Sequence, residues 1–213
     1  MPDTTAADGG PAGGVTVLGF DCAGPWCAAA VIRGGALLAH RHDQMARGQA
    51  EALMPLLEDV LAWAGLHWRD LDAIGAGVGP GNFTGIRIAV AAARGLALSL
   101  GIPAIGVGAC EAAAFALPRP CRVILPARAG TVFWQDFLTD TLPPIPGLPD
   151  QDVAEALRPG PPVASSPVPL AEAVARIAAA RLPQAPLPRP APVYLRPADA
   201  APPADPPPRI LPG

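Results

Sequence analysis

The beginning of the chain alternates short apolar segments with turn residues, which is the pattern of a β-meander. Three strands are predicted, over Val15 to Cys22, Cys27 to Arg33 and Ala36 to His42. The first two are separated by Ala23-Gly24-Pro25-Trp26, and Gly34-Gly35 separates the second from the third. The expected product is an antiparallel sheet of three consecutive strands.

The following segments alternate between helical and strand periodicity. The clearest amphipathic helix is predicted over Gly48 to Leu66, where apolar residues recur at helical spacing and form one wide face. Pro55 lies inside this segment, so it either kinks the helix or marks its first turn. The remaining predicted elements are, in order, a buried strand over Ala73 to Val78, an almost entirely apolar helix over Gly85 to Gly101, a strand over Pro103 to Val107, a helix over Glu111 to Ala116, a strand over Arg122 to Pro126 and a helix over Leu170 to Leu182.

A glycine-rich turn, Gly79-Pro80-Gly81-Asn82-Phe83-Thr84-Gly85, joins the buried strand to the apolar helix. Such a turn places backbone N–H groups around an anion, but it is also an ordinary way to make a tight corner. A dinucleotide fingerprint that starts at Gly75 is set aside. The next fingerprint glycine falls on Pro80, and no acidic residue follows about twenty positions later.

The segment Gly79 to Leu98, GPGNFTGIRIAVAAARGLAL, closely resembles a signature of the TsaB family, which usually reads GPGSFTGLRIG. Asn82 therefore stands where serine is common. Residues 126–134 resemble the family's D-A-R-R-G-E-V-Y segment with Pro126 in place of the aspartate, and Pro192 to Pro197 matches its closing P-x-Y-L-R-P. The resemblance is good over residues 15–135 and short at 190–200. It implies an α/β, two-lobed actin-like (ribonuclease-H-like) fold with a complete first lobe and a shortened second lobe.

The domain organisation follows from this resemblance and from a shift to proline-rich composition after Asp140, at Leu142 to Pro149 and Arg158 to Pro169. We expect a disordered tail over residues 1–14, and a proline-rich C-terminal tail that docks on the first lobe. The expected division is thus 1–14, a first lobe over 15–110, a reduced second lobe over 111–190, and the docking tail over 191–213.

Charge and composition narrow the possible functions. All 15 basic residues are arginines, so lysine-dependent phosphate or Schiff-base sites are excluded. The net charge is −3 and arginines do not cluster in the sequence, which argues against tRNA binding by this chain alone. We expect neither a membrane span nor a signal peptide, because no uncharged apolar run reaches 18 residues and the first fourteen residues lack a basic segment. The expected location is the cytoplasm.

Asp21 is the candidate that the resemblance places at a nucleotide site. In enzymes of this fold, the first hairpin carries an aspartate and nearby hydroxyls that hold metal and phosphate, whereas the residues after Asp21 carry no hydroxyl group. Asp21 is either a residual nucleotide ligand or a turn-capping carboxylate. The predicted degenerate nucleotide cleft consists of Asp21, Gly79, Gly81, Asn82 and Thr84.

Metal binding is not expected. Catalytic relatives of the family, called TsaD or Kae, carry paired histidines on the helix where this chain has Gln49, and His40 and His42 on one strand are a weak metal signal. The four cysteines form no C-x-x-C pair. Cys22 and Cys27 flank a turn and could face each other, although buried free thiols are the expected state. We expect no metal and no cofactor, with nucleotide binding only within a complex.

The resemblance implies a non-catalytic scaffold or activator subunit of the bacterial tRNA threonylcarbamoyladenosine (t6A) synthesis complex. Its implied partners are a TsaD-type transferase and a TsaE-type ATPase, with tRNA reached only through the complex and a homodimer formed by the chain alone. We expect no catalysis by this chain alone. The alternative is an active ATP-dependent phosphotransferase or ATPase of the actin/sugar-kinase class, which Asp21 and the glycine-rich turn favour.

The two long helices are the predicted partner surface, because together they carry more apolar side chains than one small lobe needs. The resemblance implies a four-helix interface with a homologous partner. The residues predicted to form it are Leu53, Met54, Leu57, Leu61, Arg87, Ala92 and Ala93.

Overall fold

The structure of the chain is a computed structural model that describes residues 14–127, 130–140, 153–184 and 186–195. Three sequence predictions lie outside the described residues: the disordered tail, apart from its last residue Gly14, the proline-rich segment Leu142 to Pro149, and the tail beyond residue 195. The strands are β1 Thr16–Asp21, β2 Trp26–Arg33, β3 Ala36–Gln44, β4 Ala73–Gly77, β5 Ala104–Val107, β6 Cys121–Pro126 and β7 Val132–Phe137. The helices are α1 Gln49–Trp63, α2 Phe83–Leu100, α3 Ala109–Ala113, α4 Val153–Ala156 and α5 Leu170–Arg181.

A five-stranded sheet in the order β3-β2-β1-β4-β5 forms the centre of the fold. The first three strands pair antiparallel, while β4 pairs parallel with both β1 and β5. This order is the predicted meander followed by helix, strand, helix and strand, so the ribonuclease-H-like sheet is confirmed. Strands β1 and β4 are buried throughout, which explains their continuous apolar sequences.

Helices α1 and α2 cover one face of the sheet. Leu53, Leu57 and Leu61 of α1 pack with Leu18 and Phe20 of β1 in the main hydrophobic core. The helix begins at Gln49 and continues through Pro55, which therefore does not lie in its first turn. Helix α2 begins two residues earlier than predicted, because Asn82 caps it, and it ends at Gly101 in the left-handed conformation.

Helix α5 covers the opposite face, and glycines in the sheet let it approach closely. A Cβ atom at Gly19 would lie 2.5 Å from the Ala175 nitrogen and 2.7 Å from the Ala171 oxygen. A Cβ atom at Gly75 would lie 2.9 Å from the Cβ atom of Ala178. Small residues on both sides thus replace the usual interlocking of large side chains. The sequence-based division assigned α5 to the second lobe, and this is corrected because α5 packs on the first-lobe sheet.

The described part of the second lobe contains the antiparallel β6–β7 hairpin together with α3 and α4. Buried Arg122 ties this unit together. Its guanidinium donates to both carboxylate oxygens of Asp136, at 2.6 and 2.8 Å, and to the carbonyl oxygens of Ala156 and Arg158. A small lobe with little apolar core is thus held by one multiply bonded cation.

A buried ion pair joins α3 to the end of α5. Arg181 donates to Glu111 at 2.6 Å, and both side chains are at most 2% exposed. Arg181 also donates to the Gly106 oxygen of β5, and Glu111 accepts from the Gly108 amide at the start of α3. Because each charge is hydrogen-bonded as well as paired, the pair fixes the geometry of this junction.

Replacing Gly19 by alanine tests the close packing of α5. The added methyl group overlaps the α5 backbone, so Gly19→Ala should lower the free energy of unfolding by about 1–3 kcal/mol. The matched control is Gly95→Ala. Nothing lies within 4 Å of its added Cβ atom, and this change should be neutral or raise stability by about 0.5–1 kcal/mol. Urea denaturation of both variants provides the measurement, and equal effects at the two sites would contradict the packing argument.

Candidate functional site

The candidate cleft forms where β1 and β4 end side by side. Because these strands are parallel neighbours, the hairpin after Asp21 meets the glycine-rich turn after Gly77. Cβ atoms added at Gly77, Gly81 and Gly85 would overlap, respectively, the Asp21 carboxylate, the Ala23 carbonyl and the Cys22 carbonyl. These glycines are therefore needed for contact between two segments of this chain.

Asn82 connects the turn to the hairpin and to α2. Its side-chain oxygen accepts from the backbone amide of Gly85 at 3.0 Å, while its backbone amide donates to the backbone oxygen of Ala23 at 2.6 Å. Gly79 has a φ of 90°, a conformation that favours glycine. Thr84 is exposed in the first turn of α2. The predicted cleft residues are thus brought together, and Asn82 acts in the chain's own folding as a helix cap.

Asp21 is enclosed rather than open to a ligand. It is 1% exposed, and its Oδ1 atom accepts from the Ala23 amide at 2.9 Å and from Trp26 Nε1 at 2.8 Å. The Trp26 ring lies over Gly24 and is 5.6 Å from the His42 ring. Burial raises the pKa of Asp21 above its ordinary value, against the opposing effect of these hydrogen bonds.

This arrangement does not fit a metal–phosphate site in the isolated chain. One oxygen of Asp21 already holds two protein donors, and burial favours the neutral acid over the carboxylate that a metal needs. Within the described part of the chain, no cluster of three or more His, Cys, Asp or Glu residues is placed to hold a metal. Of the two interpretations of Asp21, the geometry favours the turn-capping carboxylate.

Residues 190–194 form a strap across the start of α2. The Val193 amide donates to the Val78 oxygen at 2.8 Å, and the Val193 side chain packs on the small apolar cluster that contains Ile86. Arg94 donates to the Pro190 oxygen at 2.7 Å. The segment that resembles the family's closing motif is thus held by hydrogen bonds and by apolar contact.

An arginine and two aromatic rings hold the end of the strap against α2. The Arg87 guanidinium lies 3.7 Å from the Phe83 ring centre and donates from Nε to the Tyr194 hydroxyl at 2.9 Å. The Phe83 and Tyr194 rings are 4.8 Å apart. Arg87 was predicted as a partner contact, and in this structure it binds the chain's own strap.

Several predicted interface residues face the core, which corrects that prediction. Leu53, Leu57 and Leu61 are 1%, 0% and 2% exposed, and Ala93 is fully buried. The apolar stripe of α1 is covered by the sheet and by α2, so it is unavailable to a partner. Of the other predicted residues, Met54 is 38% exposed, Ala92 is half-buried and Arg87 is exposed.

The outward side of α2 exposes apolar positions beside the exposed Arg87 and Arg94. Although this helix is mostly apolar, only 33% of its residues are buried. Leu98 is 83% exposed, and Ala91 and Gly95 lie two turns and one turn before it, also exposed. By length and composition alone α2 also qualifies as a membrane span, but a single helix of this kind is weak evidence for one. We call Ala91, Gly95 and Leu98 the outward face of α2.

Sequence reasoning missed Trp26, Tyr194 and Leu98. The spacing of Asp21 and Trp26 around a four-residue turn offered a signal, since an indole N–H reaches a carboxylate across a hairpin. Tyr194 lies 107 positions from Arg87, and no local pattern connects them. Leu98 could not be separated from buried leucines, because α2 is apolar on nearly all sides.

Replacing Asp21 by asparagine tests its protonation. Because burial raises the folded-state pKa, the stability that Asp21 contributes is complete below its unfolded pKa and is lost as the pH rises through the folded pKa. The asparagine side chain remains neutral at every pH and keeps an acceptor oxygen. Asp21→Asn should therefore be more stable than the wild type at pH 7, with the difference shrinking towards pH 4. Thermal unfolding between pH 4 and 8 measures this, and a variant that is less stable at pH 7 would show that the carboxylate is the native form.

Removing the Tyr194 ring tests the strap. Tyr194→Ala should speed hydrogen exchange at the Val193 amide, because that amide stays protected only while the strap is docked. Tyr194→Phe keeps the ring contact with Phe83 but loses the hydroxyl acceptor, so its effect should be smaller. Amides of β1 are the internal control. Unchanged exchange at Val193 in both variants would show that the strap does not depend on this cluster.

Comparison with known proteins identifies the family. A family model described as TsaD: tRNA N6-adenosine threonylcarbamoyltransferase matches residues 43–183. The TsaB protein of Escherichia coli strain K12, named tRNA threonylcarbamoyladenosine biosynthesis protein, is 33% identical over 129 residues, which are 58% of this chain and 55% of that protein. A protein of the same name from Haemophilus influenzae is 29% identical, over 59% of this chain and 55% of that protein. The chain thus spans about half the length of these relatives.

A solved structure supports the fold independently. YeaZ from Pseudomonas aeruginosa superposes with a TM-score of 0.67 at 24% sequence identity, over 85% of this chain and 100% of that one. The predicted α/β fold class is therefore confirmed, and the chain shares the fold of YeaZ. Since the family model covers most of the chain, including the signature helix, the chain belongs to the family described as TsaD: tRNA N6-adenosine threonylcarbamoyltransferase, as one of its TsaB- and YeaZ-like members.

Proposed function

We propose that this chain is a non-catalytic subunit for tRNA threonylcarbamoyladenosine synthesis, which binds a TsaD-type transferase and supports threonylcarbamoyl transfer to a tRNA adenosine. Two relatives are named as tRNA threonylcarbamoyladenosine biosynthesis proteins, and their similarity supports a role for this chain in the same biosynthesis. The single observation that carries the subunit role is the outward face of α2, an exposed apolar surface on an ordered helix.

The chemistry of this face suits helix-on-helix docking. Ala91 and Gly95 are one turn apart, and the small methyl group of Ala91 and the missing side chain of Gly95 allow close approach of a second helix. Leu98, at 83% exposure, supplies a bulky side chain that a partner could bury. Met54 adds exposed apolar surface on α1. A homologous partner that presents its own pair of helices would complete the four-helix interface.

The absence of catalysis by the chain alone is supported by the closed cleft. Asp21 is buried under Trp26, and its neighbouring turn is packed against the chain's own hairpin rather than open for phosphates. In this proposal nucleotide binds, if at all, only after complex formation. We also propose that a TsaE-type ATPase takes part in the complex and that tRNA is contacted only through it. In the same proposal the isolated chain forms a homodimer, and the protein is cytoplasmic.

The second candidate is an ATP-dependent enzyme of the actin/sugar-kinase class. The position of Asp21 beside the glycine-rich turn favours it, because aspartate and backbone amides are the groups that such enzymes direct at metal and phosphates. The two donors on Asp21 and its raised pKa weigh against it. We therefore favour the subunit.

A charge on the outward face of α2 tests the proposal. Leu98→Glu should weaken binding to a TsaD-type transferase by roughly tenfold or more, because a buried leucine contributes about 1.5–3 kcal/mol. The matched control is Leu157→Glu, which places the same charge at a 76% exposed leucine just after α4. Affinity is measured with purified proteins by calorimetry, and the thermal midpoint of each variant reports its fold.

Leu98 is preferred to the buried α1 leucines because its side chain supports no core contact. We expect both variants to fold, with only Leu98→Glu losing the partner. If Leu98→Glu and Leu157→Glu bind as tightly as the wild type, the outward face of α2 is not the docking surface. If the wild-type chain binds no TsaD-type transferase, the subunit proposal itself is wrong.

A further inference from the structure

Two buried thiols face each other at the end of the β1–β2 hairpin. The strand register pairs Asp21 with Ala28, so Cys22 and Cys27 are the next directly opposed pair. Their sulfur atoms are 3.4 Å apart, and both side chains are fully buried. Directly opposed residues of antiparallel strands have Cα separations of about 4.5–5.5 Å, which lies within the range that disulfides span.

The two thiols are chemically different. Their mutual hydrogen bond, in which either sulfur could be the donor, is the main influence on the pKa of both: it raises the pKa of Cys22 and lowers the pKa of Cys27. Burial opposes the second effect. Cys27 is therefore the better nucleophile, and Cys22 is the adjacent thiol that can resolve an adduct on it.

Access to the pair depends on a short turn. Residues 23–26 alone separate the two cysteines, and within this turn Pro25 is exposed and Gly24 is half-exposed. Both sulfurs belong to the main hydrophobic core, so a reagent reaches them when this turn opens and the hydrogen bonds of Ala23 and Trp26 to their partners break. A reagent as small as a dialkyl disulfide then reaches Cys27.

The other two cysteines lack this arrangement. Cys110 and Cys121 belong to the separate apolar cluster beneath the β6–β7 hairpin. Burial raises the pKa of Cys110 to about 12, which makes it a poor nucleophile. Arg119 donates to the Cys121 sulfur at 3.1 Å. They serve as internal controls within the same chain.

We propose that Cys22 and Cys27 form a redox modification site, which small disulfides oxidise to a reversible cross-strand disulfide. Cys27 thiolate attacks one sulfur of the small disulfide, and a mixed disulfide forms as one small thiolate leaves. Cys22, after losing its proton, attacks Cys27 Sγ and releases the second small thiolate. The protein loses two electrons and two protons, and the reagent becomes two thiols.

The modification acts on the segment that organises the candidate cleft. Cys22 and Ala23 contact Gly85 and Gly81, and the Ala23 oxygen accepts from the Asn82 amide that begins α2. A covalent link between Cys22 and Cys27 therefore restricts the hairpin to which the start of α2 is attached. The inference does not depend on the proposed partner.

Oxidation of the whole native chain by hydroxyethyl disulfide tests this site. Intact-mass spectrometry should show the loss of two hydrogen atoms without a retained adduct, and chymotryptic cleavage after Trp26, between the two cysteines, should yield one peptide pair linked through Cys22 and Cys27. Dithiothreitol should restore four free thiols. We expect this reaction to proceed roughly tenfold or more faster than adduct formation at Cys110 or Cys121.

Single variants assign the roles of the two thiols. Cys22→Ala should stop at a stable mixed disulfide on Cys27, whereas the control Cys110→Ala should still form the internal link. Peptide mapping of the wild-type chain decides the question even if a variant fails to fold. Four unmodified thiols after treatment of the native protein, or a link that involves Cys110 or Cys121, would overturn the proposal.

Discussion

The close approach of two backbone segments at the ends of β1 and β4 is the constraint on which the rest of the structure depends. The hairpin after Asp21 rests directly on the glycine-rich turn, and three positions in or beside that turn accept no side chain. The same contact starts α2, because the Asn82 amide bonds to the hairpin while its side chain caps the helix. The turn that could cradle phosphate is thus used to position a helix, and the motif most visible in the sequence is a packing motif.

The position of α2 determines which surfaces remain exposed. On one side it shares the core with α1, and at its start it is held by the strap through Arg87 and Arg94. Both contacts leave Ala91, Gly95 and Leu98 pointing away from the chain. On the other face of the sheet, the alanines of α5 pack directly on Gly19 and Gly75. The helix therefore lies close to the sheet and covers this face. Among the exposed large apolar side chains of the described residues, Leu98 is the most exposed, and its place on a helix is the physical basis for expecting a helical partner.

The sequence predicted the strands of the central sheet but did not predict which helix surfaces are exposed. Alternation and turn residues located β1 to β5 and the two long helices to within a few residues, because most of these elements are buried on at least one face and their periodicity reflects burial; the largely exposed β3 was located from its flanking turn residues. The same argument failed for the interface. A wide apolar face on α1 indicates that the face is buried, but not whether the chain's own sheet or a partner covers it. Here Leu57 is fully buried within the chain itself. The position of α5 was also missed, since assignment by chain order ignores a helix that returns to the first sheet.

The cleft shows why family resemblance predicts fold more securely than activity. An aspartate at the end of β1 beside a glycine turn is the arrangement that an active relative requires, and both features are present here. In this chain the Ala23 amide and Trp26 both donate to the Asp21 carboxylate, and burial, against these hydrogen bonds, favours the neutral acid over a metal ligand. Resemblance to an active relative therefore predicts the backbone arrangement of this cleft, whereas the burial and protonation of Asp21 depend on side chains that the resemblance does not specify.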